Sequence, residues 1–321
     1  MKSLLRSLMM TPIYNGIVHM EDELHDRADT LHPTNDSPLR FEIVRQLEKR
    51  GDGPPKRLIP IMIPTFLGIR KTLSSLRDNP ATPKKLADAD LLSEIKTRAL
   101  KLGASSIGYT QVPAQWVFQD KAIQYENAVI LTMEMDKAGM DTAPSVTCQK
   151  TVWKTYRDLG RISNNIASLL RQRGYGAHAG PPLNGQTLYP PLAQMAGLGW
   201  MGFNGIIITP EHGPRVRLAA IYTSIENLPF GEQNEHSWVA KFCQNCRVCI
   251  KECPPKALYD EPIDHRNGHI THVDNNLCFP YFAEHYGCSV CIKVCPFNQV
   301  PYETLREKFS HHHRIDTASD S

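Results

Sequence analysis

Eight of the nine cysteines in this 321-residue chain lie between Cys243 and Cys295. The first run, Cys243, Cys246, Cys249 and Cys253 followed by Pro254, has the form C-x2-C-x2-C-x3-C-P. Three thiolates at that spacing wrap the corners of one iron–sulfur cubane, and the turn that follows carries the fourth to a neighbouring cluster. Zinc sites also use C-x2-C pairs, but four cysteines at these intervals ending in proline suit zinc poorly. The second run, Cys288, Cys291 and Cys295 with Pro296, lacks its first cysteine, and Glu284, His285, Tyr286 and Gly287 occupy that neighbourhood. Cys278 is the available donor. The expected ligand sets are therefore Cys243, Cys246, Cys249 and Cys295 for one [4Fe-4S] cluster, and Cys253, Cys278, Cys288 and Cys291 for the other. All eight thiols are used, so no ligand is missing as a [3Fe-4S] cluster would require. Two cubanes in so short a stretch imply electron delivery, and His285 is read as a surface or neighbouring group rather than a ligand.

The rest of the composition is that of a soluble globular protein, with 41% apolar and 21% charged residues. The formal net charge of +3 gives no argument for nucleic acid or an anionic membrane, and no nucleic-acid partner is expected. No run of 18 apolar residues occurs, so no integral membrane segment is expected. The start, MKSLLRSLMM, reads as a terminal helix rather than a signal peptide, and it holds no twin-arginine pair. The expected location is cytoplasmic. Clustered cysteines imply a reducing compartment or a cluster loaded before export. Cys148 stands alone and is read as a buried apolar residue.

Residues 1–60 are polar and turn-rich, which predicts a partly extended arm. In RLIPIMIPTFLGI, Pro60 and Pro64 argue against a regular helix. A helix is predicted at about 85–101, favoured by Asp88 and Asp90 and ended at Gly103, and a longer one at 151–173, where Val152, Leu159, Ile162, Ile166 and Leu169 recur at helical spacing. Strands are predicted at Ser106–Thr110 and Ala128–Met133. The pair Ile206–Thr209 and Val216–Thr223 is predicted as a hairpin around PEHGPR. PLAQMAGLGWMGFNG reads as a short helix and a tight turn. Neither a strand-led GxGxxG nor a GxxxxGK is present.

PPLAQMAGLGWMGFNGIIITPEHGPRVRLAAIYT, at 190–223, together with the two cysteine runs and Cys278, resembles the iron–sulfur part of the corrinoid-dependent reductases. These are the reductive dehalogenases and the related epoxyqueuosine reductases. The resemblance is good from about 125 to 300 and weak before 100. The cysteine runs are shared with many ferredoxins; the AGLG–GPRVRL segment is far more specific. The resemblance implies an α+β architecture: a nitroreductase-like domain at 61–235 that cradles a base-off cobalamin, then a bacterial two-cluster [4Fe-4S] ferredoxin-like domain at 236–300, with a 301–321 tail. It implies that a low-potential donor such as ferredoxin or flavodoxin feeds the clusters, which reduce cobalt and then a small-molecule substrate.

Gly197, Gly199, Gly202 and Gly205 would allow close approach of a large planar ligand, or serve tight-turn packing. Asn204 would bond corrin amides or cap the turn. Arg215 and Arg217 alternate with apolar residues on a strand and would hold an anion or form a solvated face. Tyr189 would donate a proton to substrate, as a tyrosine does in reductive dehalogenases, with Arg215 as its cation. His178 and His212 are spare acid–base candidates, and the run at His311 is read as a flexible tail. Epoxyqueuosine reductases carry a catalytic aspartate before AGLG; here Asn184 is nearest, which disfavours tRNA epoxide reduction. A non-catalytic electron-transfer protein, or a flavin or other tetrapyrrole in place of cobalamin, remains the competing reading.

Overall fold

The alternating apolar strands and the two amphipathic helices expected from the sequence come together in one layer against another. The computed structural model describes residues 15–38, 56–231, 234–266 and 268–319. The chain divides into two units, the first made of the described residues up to Met133 with Val152–Leu192 and Arg217–Gly231, the second of Glu134–Thr151, Ala193–Val216 and the described residues beyond Gly231.

The first unit is built on a four-stranded sheet of β1 (Ser106–Gln111), β2 (Asn127–Glu134), β3 (Ala177–Gly180) and β6 (Val216–Thr223), in the order β1-β2-β6-β3. β1 and β2 are antiparallel, as are β3 and β6. One face presents Val129, Leu131, Ala177, Ala179, Ala219 and Ile221 to the helices Ala89–Lys101 and Val146–Gln172, which answer with Leu91, Ile95, Leu159, Ile162, Ile166 and Leu170. The three alanines keep that face flat enough for helices to lie close on it. The Ala89–Lys101 helix starts where Asp88 accepts a hydrogen bond from the Leu91 N–H at 2.7 Å. That carboxylate satisfies a donor the helix leaves open and favours the positive end of its dipole. Gly103, at φ 108, stands just past its end.

Several expectations need correction. Ile59–Ser74 is a helix despite its prolines. Pro60 sits in the first turn, where no N–H is needed. Pro64 does remove a hydrogen bond, at a cost of about 3 kcal/mol, but Met62, Ile69 and Leu73 are buried along this helix, each contributing about 1.5–3 kcal/mol. Residues 15–25 are helical, not extended, because Ile17 and Leu24 find a core with Ile69, Leu73, Leu76 and Ala122. The expected 206–223 hairpin is not made. β5 (Ile207–Ile208) pairs with β4 (Trp200–Met201) in the second unit, whereas β6 joins the large sheet. Between them, Thr209 and Gly213 close a turn with reciprocal backbone hydrogen bonds of 3.0 and 2.9 Å. The segment expected as a tail is helical over Tyr302–Ser319. The expected 1–10 helix and the GDGPP turn lie outside the described residues.

One charged contact in the first unit is fully enclosed. Lys121 and Glu21 form an ion pair with side chains 3% and 4% exposed, and Asn184 donates to Glu21 Oε1 at 3.1 Å. The pair clasps the 15–25 helix to the segments carrying Lys121 and Asn184. Removing one partner of a buried pair strands the other charge. Lys121→Met is expected to cost about 3–5 kcal/mol in urea unfolding, and the double variant Glu21→Leu/Lys121→Met to recover most of it.

Candidate metal centre

The cysteines of the second unit sit on short helices that repeat one backbone device. Trp238–Cys246 ends at Arg247, and Val248–Lys251 begins there; Val290–Lys293 begins at Ser289. Arg247 and Ser289 both adopt the left-handed conformation, at φ 51 and 68. Each follows the first cysteine of a C-x-V-C-I-K segment, Cys246 in one case and Cys288 in the other. A left-handed residue next to right-handed ones turns successive N–H groups toward one point, a concavity that suits anionic sulfide. Non-glycine residues accept that conformation at a cost of roughly 1–2 kcal/mol.

These turns gather the thiols into two groups. Cys243, Cys246, Cys249 and Cys295 line one cavity, with Gly202, Phe203 and Asn204 on its wall. Cys253 packs with Cys249, Cys278 and Cys291 around Ile250, Ala257 and Leu258. Electrostatic neighbours divide the same way: Cys295 feels Cys243, Cys249 and Cys246, while Cys278 feels Cys253 and Cys288. Cys291 feels Cys288, Cys249, Cys278 and Cys253, so Cys249 and Cys291 are where the two groups approach. Among the described residues, no three Cys, His, Asp or Glu side chains converge as the ligands of a single ion would. A cubane instead takes one thiolate at each of four separate corners.

Backbone N–H groups already point at several sulfurs. Ala257 N–H donates to Cys253 Sγ at 3.3 Å. The backbone of Phe203 hydrogen-bonds Cys243, that of Val290 Cys288, and that of Phe297 Cys295. Burial nonetheless dominates. It pushes the Cys243 thiol up to about 12 and those of Cys249 and Cys278 to about 11, with neighbouring thiols adding to the rise. Cys291 and Cys295 are driven up further, also chiefly by burial. Left to themselves these groups stay protonated. Only a bound cationic centre makes four thiolates affordable in so dry a place. The donor set, its two-way grouping and the N–H···S contacts thus fit iron–sulfur cubanes.

The residues expected to touch a corrin are placed otherwise. A Cβ on Gly199, at φ 154, would stand 2.1 Å from the Ile208 carbonyl oxygen. The glycine is required by β4–β5 packing. Gly202 lies against Asn204 and Ile208, and Gly205 against His272. Asn204 is buried; it accepts from the Ile206 N–H at 3.2 Å and donates to the Cys291 carbonyl at 3.4 Å. It caps the turn and ties it to the second cysteine run. These four residues have packing and hydrogen-bonding roles within the thiol-bearing unit itself. Arg217 is half-buried and lies 4.9 Å from the centre of the Tyr156 ring.

Tyr189 and Arg215 belong to different units and each has its own partners. The Tyr189 hydroxyl donates to the Pro181 carbonyl at 2.9 Å, and burial, followed by Tyr222, raises its pKa well above the ordinary tyrosine value. Arg215 pairs with Glu134 at 2.5 Å. The cation that would make Tyr189 a ready acid is therefore committed elsewhere. His212 approaches the same Glu134 at 3.6 Å. His178 is fully buried beside Tyr222, and burial, then Arg171 and Arg27, pulls it down to about 3, out of the range of neutral acid–base work. His285 stacks on Tyr281 with centroids 3.7 Å apart. Cys148 is buried, with its sulfur 3.8 Å from Met140 Sδ. Sequence reasoning missed His272 and Phe203. The one available signal was a histidine at the inward position of a strand between Cys253 and Cys278.

No family model matches the chain. It is similar to tetrachloroethene reductive dehalogenases, at 31% identity over 193 residues for that of Dehalobacter restrictus and 31% over 211 residues for that of Desulfitobacterium hafniense. These matches take in 56% and 62% of this chain but only 34% and 37% of the relatives, so the chain spans little more than a third of their length. The epoxyqueuosine reductase of Listeria monocytogenes matches at 39% over 70 residues, 22% of this chain and 17% of the relative. A solved catabolic reductive dehalogenase superposes with a TM-score of 0.64 at 20% identity, over 88% of this chain and 46% of that one. A second reductive dehalogenase structure, bearing on B12-dependent dehalogenation, gives 0.64 at 21%, over 94% and 48%. The fold is the mixed α/β fold of those proteins. One expectation falls: the relatives include an epoxyqueuosine reductase, of the branch that acts on tRNA, so the exclusion of a nucleic-acid partner does not stand. Among the described residues, no helix is long and apolar enough to cross a membrane.

The buried thiols carry a pH consequence. Their folded pKa values lie above the unfolded ones, so without iron the unfolded state loses protons first. Stability of the metal-free protein should be full below the ordinary thiol value, about 8.5, and fall as pH rises past it toward the folded values. Thermal unfolding of metal-free protein between about pH 7.5 and 10 checks this. The fall should be smaller in Cys243→Ala.

Proposed function

We propose that this chain, which belongs to a reductive dehalogenase-like family related to the epoxyqueuosine reductases, is an iron–sulfur, corrinoid-dependent reductase. The observation that carries the reading is the gathering of Cys243, Cys246, Cys249 and Cys295 around one cavity, with Cys253, Cys278, Cys288 and Cys291 as the other thiol group. Each group would hold one [4Fe-4S] cluster, in a ferredoxin-like arrangement of short helices. The meeting of the groups at Cys249 and Cys291 supports electron passage between them. A low-potential donor protein such as ferredoxin or flavodoxin would supply the electrons, in a reducing compartment such as the cytoplasm.

Cobalamin, when bound, would supply a reducible cobalt at which substrate is reduced. That part of the reading rests on the family, not on the Gly199–Gly205 turn. What this chain's own residues do is hold iron, exclude water from it with Phe203, Phe242 and Phe297, and offer N–H groups to its sulfur ligands.

Anaerobic reconstitution with iron, sulfide and cobalamin, followed by EPR, tests the proposal. About eight irons per chain and a stoichiometric cob(II)alamin signal are expected. Full iron without corrinoid binding would leave an electron-transfer protein instead. Cys278→Ala should perturb the cluster of the second group and spare that of the first. Unchanged iron content and EPR in that variant would overturn the ligand sets.

A further inference from the structure

The hairpin of β7 (Leu258–Asp264) and β8 (Ile270–Val273) interrupts the stretch between Cys253 and Cys278. Its strands are largely exposed, yet His272 turns inward and is 7% exposed. Neither ring nitrogen reaches a hydrogen-bond partner at normal length. A neutral imidazole always carries one donor and one acceptor, and leaving both unmade in a buried place is costly. A residue kept there at that cost calls for a reason.

The neighbours of His272 supply one. A Cβ on Gly205 would meet His272 Cβ at 3.2 Å, so the histidine packs directly on the Gly202–Gly205 turn. The polar group its ring faces is the Phe203 backbone. Phe203 lines the cavity of the first thiol group, and its backbone hydrogen-bonds the Cys243 sulfur. His272 and Cys243 thus take hold of one residue from two sides. Burial keeps the imidazole on its neutral side, so it acts as a dipole rather than a charge. Asp264 and His269, from the same hairpin, are the titratable groups whose fields reach it, and the turn contributes none.

We propose that His272 is a positioning residue that sets the reduction potential of the cluster at Cys243, Cys246, Cys249 and Cys295, by holding the Phe203 backbone in hydrogen-bonding reach of the Cys243 sulfur. The inference rests on the cluster reading above. An N–H···S bond stabilises the reduced cluster, whose sulfurs carry more negative charge, and so raises its potential. The imidazole, packed against Gly205 beside the Phe203 backbone, fixes that residue's position.

The test is an EPR-monitored redox titration of the full chain after anaerobic loading. The cluster of the first group is identified by its survival in Cys278→Ala. His272→Leu should keep both clusters and shift the first to a more negative potential, leaving the second in place. His272→Gln, which keeps a polar side chain of similar bulk against the turn, should restore most of the shift. A fully loaded His272→Leu protein with unchanged potentials, or with both clusters shifted equally, overturns the proposal. If the leucine variant fails to load iron, His272→Phe is measured by the same criteria. Loss of both clusters in both variants assigns His272 to folding and also overturns it. A wild-type chain that takes up no cluster refutes the cluster reading itself, an outcome distinct from all of these.

Discussion

Thiols buried next to one another cannot ionise on their own. In the second unit, burial raises the pKa of Cys243, Cys249, Cys278, Cys288, Cys291 and Cys295, and proximity raises most of them further. Without a cationic partner the arrangement is a liability, a pair of dry, half-formed sites whose ligands are in the wrong protonation state. The surrounding structure suits such a partner. Arg247 and Ser289 accept left-handed backbone to aim N–H groups inward. Ala257, Phe203, Val290 and Phe297 supply contacts to sulfur from four different segments. Trp238, Phe242, Phe297 and Tyr302 pack around Cys243 and Cys295 as a hydrophobic shield. Such a shell controls solvent access and local dielectric, hence potential.

The same constraint explains the AGLG–GPRVRL segment. Its glycines looked suited to a flat ligand, and its specificity carried the family resemblance. The structure shows that Gly199 is needed where the backbone meets the Ile208 carbonyl, and that Gly202, Phe203 and Asn204 wall the first thiol cavity. The segment most specific to the family is therefore part of the housing of the thiols. Resemblance and cysteine pattern, which the sequence presents as two signals, meet at one place.

That Cys243, Cys246, Cys249 and Cys295 line one cavity was legible because the spacing within each cysteine run is local. The Ala89–Lys101 helix was legible for the same reason: Asp88 and Gly103 mark its ends within the sequence itself. Features decided by distant partners were not. Prolines in Ile59–Ser74 argue against a helix until the core it buries is known. The Tyr189–Arg215 pairing was chemically sound, but Glu134, from another strand, takes the arginine. Nothing in a local pattern shows that a buried histidine in β8 faces the backbone of Phe203, some seventy residues earlier.

The central claim is that the eight thiols are two sets of four, each completed by one cubane. Native mass spectrometry of the anaerobically loaded chain reads that claim directly. The account predicts a mass increase equal to two [4Fe-4S] clusters, lost in two discrete steps as iron is chelated. A single bound cluster, or a loaded protein whose added mass is zinc, would contradict it.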